Sequence, residues 1–530
     1  MLVGENHRVL HSTRHSPIEF GKDVISLDPD GTPCAFQLKG NPGGRLTLTQ
    51  FREIQAQLVQ LVTQAIAYPG VPDMPHQSYL VTNGLVEEEV QQAIRGMNQM
   101  WERNGYGADA LLVLERGSLL ERATRLGASL WPFGIADLGA LIDMLSHQGD
   151  DVLPIAKMHT LLSGMYRLAR DENIPSGAEL QRLVTSAALL VAVAMRNFEQ
   201  KDNHFAIASA WILFSIYTIS ACDRAGELPR EKIADSITVA RGAIFDAIAD
   251  LADEVVNRQH LTVGPGMADT EFYHPRAALI SGLLSSFWLW CRRDGIVLPV
   301  LASVEKHLPT IFNERALWGE GALPQFLAHY WYISRRDASW RPELMLADLL
   351  KRVMYRQLGR QAEPLATPYY SIDDVVRHRF LTELGLGLAD DPFDDTGFRY
   401  ASYFAEGLLH LVVRANLKQQ CKTLWPDYTR LHHRRFEVAE RWQYCTAHSD
   451  QGLEHITVVP LRGEWYLLEL DAARIETPKV PSPLRNDPIL LLLFTILVPQ
   501  RATPDVIRFL GATFSDVWFI EPARPRDHSA

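Results

Sequence analysis

The stretch Glu19-Phe-Gly-Lys-Asp23, followed fourteen residues after its aspartate by Gln37-Leu38-Lys39, organises the first part of this chain. It puts one carboxylate, one amide oxygen and one ammonium at the ends of two short strands. The strands read as residues 22–27 (Lys-Asp-Val-Ile-Ser-Leu) and 33–39 (Pro-Cys-Ala-Phe-Gln-Leu-Lys). Between them lies Asp28-Pro-Asp-Gly31, a turn sequence with Pro and Asp-Gly suitably placed. A hairpin of this length brings Asp23 beside Gln37 and Lys39. Such a trio can hold a divalent cation through oxygen and set an ammonium beside a phosphate and an attacking water.

Working outward, Gly40-Asn-Pro-Gly-Gly44 follows the hairpin, then a helix over 49–67 with Thr49 as its N-cap. Gln77-Ser-Tyr-Leu-Val-Thr82 reads as a buried strand, residues 87–103 as an amphipathic helix, and Ala110-Leu-Leu-Val-Leu114 as a further strand. Another helix starts at Ser118. This order predicts a mixed sheet with helices packed on it, over residues 1–130.

From 135 to 420 the periodicity changes to 3.6. Helical stretches are expected at 154–171, 177–200, 204–222, 229–258, 275–292, 342–357 and 399–420, which suggests a solenoid-like all-α region. Residues 425–530 return to strands: His455–Val459 and Glu464–Leu470 flank Pro460-Leu-Arg-Gly463 as a hairpin, and Val517–Ile520 reads as another strand. The fold expected is therefore α+β and multi-domain: an N-terminal α/β domain (1–130), a large helical region (135–420) and a small α/β region (425–530).

Bulk properties narrow the function. With 52 basic against 63 acidic residues the net charge is −11, which argues against a nucleic-acid coat protein but allows one local basic groove. Five cysteines without CxxC spacing, and a start lacking a basic, apolar leader, point to free thiols and a cytoplasmic location. Residues 205–222 are uncharged over eighteen positions, the lower edge of a membrane-spanning length, but carry Ser209, Ser215, Thr218 and Ser220. A buried helix accounts for them, and no membrane partner is expected. The run 489–498 is short enough to be a core element. The cluster Arg430-Leu-His-His-Arg-Arg435 reads as an exposed helix face, with a phosphate-binding patch as the functional alternative. The glycine-rich loop lacks the Lys-Ser/Thr of a nucleotide-binding loop.

On Asp23 and Gln37-Leu38-Lys39, with the turn between them and the helix after, the first 130 residues resemble the PD-(D/E)xK nuclease superfamily. The resemblance is to the variant with glutamine in place of the second acid, used by Mrr-like restriction endonucleases and several phage-defence effectors. It implies a restriction-endonuclease-like domain that hydrolyses double-stranded DNA with Mg²⁺ or Mn²⁺. Asp23, Gln37 and the Leu38 carbonyl would hold the metal, and Lys39 would orient the water and stabilise the developing charge. Glu19 would be a further metal or water ligand and Gln55 a phosphate contact. Arg14 and His15, with Arg8 and His11, either line a DNA groove or are ordinary surface residues. Family members place a helix, often bearing a Glu, before the first strand; here only residues 1–18 precede it, with Glu5 as the sole acid.

Each reading has a plainer rival. Asp23 and Lys39 could form a cross-strand ion pair, Glu19 could be a solvated loop residue, and Gln55 could belong to a polar helix face. The function implied is a regulated effector nuclease of anti-phage defence or restriction, its helical region binding a partner protein, a second messenger or a second copy of the chain. The alternatives are a catalytically inactive scaffold of nuclease-like fold, and a membrane-associated effector acting through residues 183–222.

Overall fold

A computed structural model describes residues 2, 5, 7–12, 21–40, 44–122, 135–168, 174–227, 231–258, 267–311, 317–336, 342–359, 364–383, 399–447, 456–459 and 477–517. The chain is a mixture of helices and small sheets, and it divides into two compact units. The first comprises residues 1–133 with 177–190, and the second residues 134–176 with 191–530.

The first unit is built on a five-stranded mixed sheet in the order β1 (Arg8–Ser12), β2 (Val24–Leu27), β3 (Pro33–Lys39), β5 (Gln77–Thr82), β7 (Leu111–Leu114). β1, β2 and β3 are antiparallel neighbours, while β3, β5 and β7 run parallel. The β2–β3 turn forms as its sequence dictates. Asp28 Oδ1 accepts from the backbone amides of Asp30 (2.9 Å) and Thr32 (2.7 Å). A two-residue pair, β4 (Arg45–Leu46) with β6 (Leu85–Val86), lies beyond the carboxyl ends of β3 and β5. The segment before the hairpin supplies β1, paired with β2 through a bulge between Val9 and His11.

Helix α1 (Leu48–Thr63) is capped two residues before the expected position. Thr47 is the N-cap, accepting from Gln50 N while the Gln50 side chain accepts from Thr47 N, a reciprocal capping box. Phe51, Ile54, Leu58, Leu61 and Val62 form its buried stripe, and Val90, Ile94, Met97 and Trp101 form that of α2 (Glu88–Arg103). These stripes cover one sheet face through Ala35, Leu80 and Leu111. Each fully buried aliphatic side chain there contributes roughly 2 kcal/mol. The other face carries a smaller cluster of Cys34, Phe36 and Leu114, in which the Phe36 and Tyr79 rings stack at 4.7 Å.

The second unit is mainly helical. Helix His204–Arg224 packs on Glu231–Arg258, and Met267–Asp294 packs on Leu323–Arg336. His204–Arg224 is buried on nearly all sides. Its hydroxyls Ser209, Ser215 and Thr218 donate to carbonyls one turn earlier, and Thr218 also meets the Tyr166 hydroxyl at 2.7 Å. Two helices, Gly177–Glu199 and His204–Arg224, are long and apolar enough to cross a membrane, and 83% of the second's most apolar window is buried inside the protein. Pro488–Leu497 is likewise a core helix.

Periodicity located most of the long helices but missed Ile135–Ser146, Pro299–Ile311, Leu323–Arg336 and Ile372–Glu383. In Leu323–Arg336 the first ten residues are all buried, so no polar face marks the period. The stretch expected as one helix over 399–420 opens instead with β8 (Ala401–Ser402), before helix Ala405–Arg414.

Residues 430–435 also differ from the expectation. They do not form an exposed helix face: His432–Phe436 is β9, the central strand of a sheet with β8 and β10 (Ile456–Val459). The two-residue period sends His432 to solvent and buries His433. The remainder of the expected C-terminal hairpin (464–470) and the strand expected at 517–520 fall outside the described residues, except that Val517 ends the helical turn Thr513–Val517.

Candidate functional site

The hairpin register sets the site. Val24 lies opposite Phe36, and Asp23 N donates to Phe36 O at 2.8 Å, so Asp23 stands across from Gln37 at the mouth of the hairpin. One oxygen of its carboxylate, Oδ2, accepts from Gln37 Nε2 (2.8 Å) and from Leu38 N (2.6 Å). Leu38 N and Phe36 O thus lie on the same β2-facing edge of β3, which the Leu38 carbonyl shares. Lys39 closes the strand two residues after Gln37 and on the same sheet face. Among the described residues its ammonium makes no hydrogen bond or ion pair, so the Asp23–Lys39 ion pair does not form. The sequence motif and its spacing therefore bring Asp23, Gln37 and Leu38 into direct contact and leave a cation beside them.

Gln37 is buried, and its second amide atom, Oε1, has no hydrogen-bond partner. A buried carbonyl oxygen without a donor is costly unless something else occupies it. Oε1 lies on the Gly21 side, 3.3 Å from where a Gly21 Cβ would stand. Gly21 has φ +75°, and the same Cβ would fall 2.5 Å from the Gln57 carbonyl of α1. Only glycine lets the chain enter β2 this close to the helix.

Lys22, between Gly21 and Asp23, was not anticipated as a special residue. It is 3% exposed and its ammonium has no partner among the described residues. Burial pulls its pKa down to about 8. The sequence offered no signal for this, because an ammonium next to a strand is ordinarily solvated.

The remaining expected residues behave differently. Gln55 is exposed on α1, and its amide reaches Met97 Sδ of α2 at 3.7 Å. Glu5 pairs with Arg122 at 2.8 Å, and the His11 ring lies 4.8 Å from that of Tyr68. Glu19, Arg14 and His15 lie outside the described residues.

The donor chemistry suits a hard divalent cation: the Asp23 carboxylate and a strand-edge carbonyl are oxygen ligands, a turn of the Gln37 amide away from Gly21 adds a third, and Mg²⁺ needs few from protein. Among the described residues no three His, Cys, Asp or Glu side chains converge as metal ligands. Buried carboxylates of the second unit are committed to structure. Glu406 takes both nitrogens of the Arg435 fork, and Glu320 accepts from the Ser402 hydroxyl and from Tyr403 N. Burial raises the Glu320 carboxyl to about 7. All five cysteines are free and buried. The chain matches no family model, no curated protein and no solved structure.

Proposed function

We propose that the first unit is a metal-dependent endonuclease domain acting on double-stranded DNA, in a cytoplasmic effector of anti-phage defence or restriction. The observation that carries this reading is the Asp23 carboxylate, bonded to both Gln37 and Leu38 N–H with Lys39 left unpaired at the strand end.

Asp23, Gln37 Oε1 and the Leu38 carbonyl would hold Mg²⁺ or Mn²⁺, which when bound supplies Lewis-acid polarisation of the phosphate and of a water molecule. Gln37 now offers Asp23 its NH₂ group, so sharing a cation requires its amide to turn and present Oε1, a soft terminal torsion. The Leu38 N–H keeps the Asp23 carboxylate in place meanwhile. Lys39 holds the attacking water by hydrogen bond and offsets charge on the pentacoordinate phosphorus. The helical remainder would serve as sensor or oligomerisation surface, since an unregulated DNase harms its host.

The test is supercoiled plasmid with Mg²⁺ or Mn²⁺, comparing the wild type with Asp23→Ala and Lys39→Ala. Each variant should lose at least about 10²-fold in nicking rate. Equal degradation by all three sinks the assignment. Calorimetric titration with Mn²⁺ reads the site without turnover, and Asp23→Ala should abolish its heat.

A second reading, an inactive scaffold of nuclease-like fold, draws on the orientation of Gln37: as it stands, its NH₂ group and not its oxygen faces Asp23. Absence of Mn²⁺ binding together with absence of nicking would favour it.

A further inference from the structure

The carboxyl edge of the parallel strands carries two cations that the metal site does not use. Lys39, last in β3, is in register with Thr82, last in β5. The Thr82 hydroxyl accepts from Gly84 N at 3.1 Å, tying the next loop to the strand end. Arg45 and Arg116 flank Gly84 from two sides. A Cβ on Gly84 would stand 3.1 Å from Arg45 N, and Arg116 N donates to Gly84 O at 3.2 Å. Leu85 N donates to Gly44 O at 2.8 Å, which fixes the Arg45 strand against the same loop.

Both arginines are exposed, and among the described residues neither guanidinium group makes a hydrogen bond or an ion pair. Arg45, in β4, and Arg116, just after β7, meet the same loop at Gly84, two residues past the Thr82 that pairs with Lys39. Guanidinium groups grip phosphate oxygens in two-pronged fashion.

Acidic residues bound the footprint. Glu115 accepts from Val86 N at 3.2 Å, and Glu88 and Glu89 open α2. Phosphates are repelled from the side where α2 begins, and Lys39 and Arg45 lie at the carboxyl side of β3.

We propose that Arg45 and Arg116 form a phosphate clamp that seats the backbone of a DNA duplex beside Lys39. This rests on the nuclease reading and names two substrate-positioning residues for it.

The experiment is fluorescence anisotropy with the full-length protein and a labelled 20-bp DNA duplex, in Ca²⁺ to hold back cleavage, from 50 to 300 mM salt. Two lost phosphate contacts lower the slope of log K against log salt by about 1.8 in Arg45→Ala/Arg116→Ala. Arg103→Ala, at the far end of α2, should leave the slope unchanged. Circular dichroism melts of the double variant should match those of the wild type, because both side chains are exposed.

An unchanged slope with intact wild-type binding overturns the clamp and leaves the nuclease reading standing. No wild-type binding at 50 mM salt overturns both. Tighter binding of an RNA duplex of the same sequence overturns DNA as the occupant.

Discussion

Asp23 concentrates two hydrogen bonds on a single carboxylate oxygen, one from a side chain and one from the backbone of the facing strand. That pairing was legible in the sequence, because a fourteen-residue separation across an Asp-Pro-Asp-Gly turn leaves one register in which both hairpin faces are used. Lys22 was not legible, since its burial depends on the approach of α1. Its pKa near 8 makes a testable statement. Unfolded lysine titrates near 10.4. Between about pH 8 and 10.4 the native state binds fewer protons than the unfolded one, so stability rises with pH across that window. Below pH 8 the cost of the buried charge is fully expressed. Lys22→Met should raise stability at pH 7 by about 3 kcal/mol and remove the rise toward pH 10. Urea titrations at the two pH values check it, and a wild-type midpoint that falls between pH 8 and 10 while Lys22→Met stays flat would refute it.

At the scale of elements, the β2–β3 hairpin is held from outside as well as by its own ladder. The chain enters β2 at Gly21, with φ +75° and the Gln57 carbonyl of α1 where a Cβ would be. Gly21→Ala should therefore destabilise the first unit by about 2–4 kcal/mol, through backbone strain and overpacking together. Because Asp23 is two residues on, nicking should fall in the same variant. An unshifted urea midpoint would show that the loop relaxes freely. Amphipathic helices such as α2 were legible because one face is polar, and Leu323–Arg336 escaped notice because it has none. The short strand β9 was misread because neighbouring histidines and arginines look like a solvated helix until a partner strand imposes the two-residue period.

For the whole molecule, the apolar segment 204–224 poses the main alternative to a soluble effector. Its side chains face Tyr166, His159 and the helix Glu231–Arg258, and the hydroxyls of Ser209, Ser215 and Thr218 bond within the protein. A helix enclosed in this way fits the core helix of a folded domain. The full chain should accordingly remain in the supernatant of a detergent-free lysate after ultracentrifugation, and recovery only in the detergent-extracted membrane fraction would overturn that expectation. The sequence by itself determined the mixed α/β start, the long helices with a polar face, and the approach of Asp23 to Gln37, because strand period, turn chemistry and helix caps act over a few residues. Tertiary structure alone decided which amide atom meets Asp23, the burial of Lys22, the need for glycine at position 21, and the gathering of Arg45 and Arg116 around Gly84. Each of those depends on segments far apart in the chain meeting at a distance that no local rule sets.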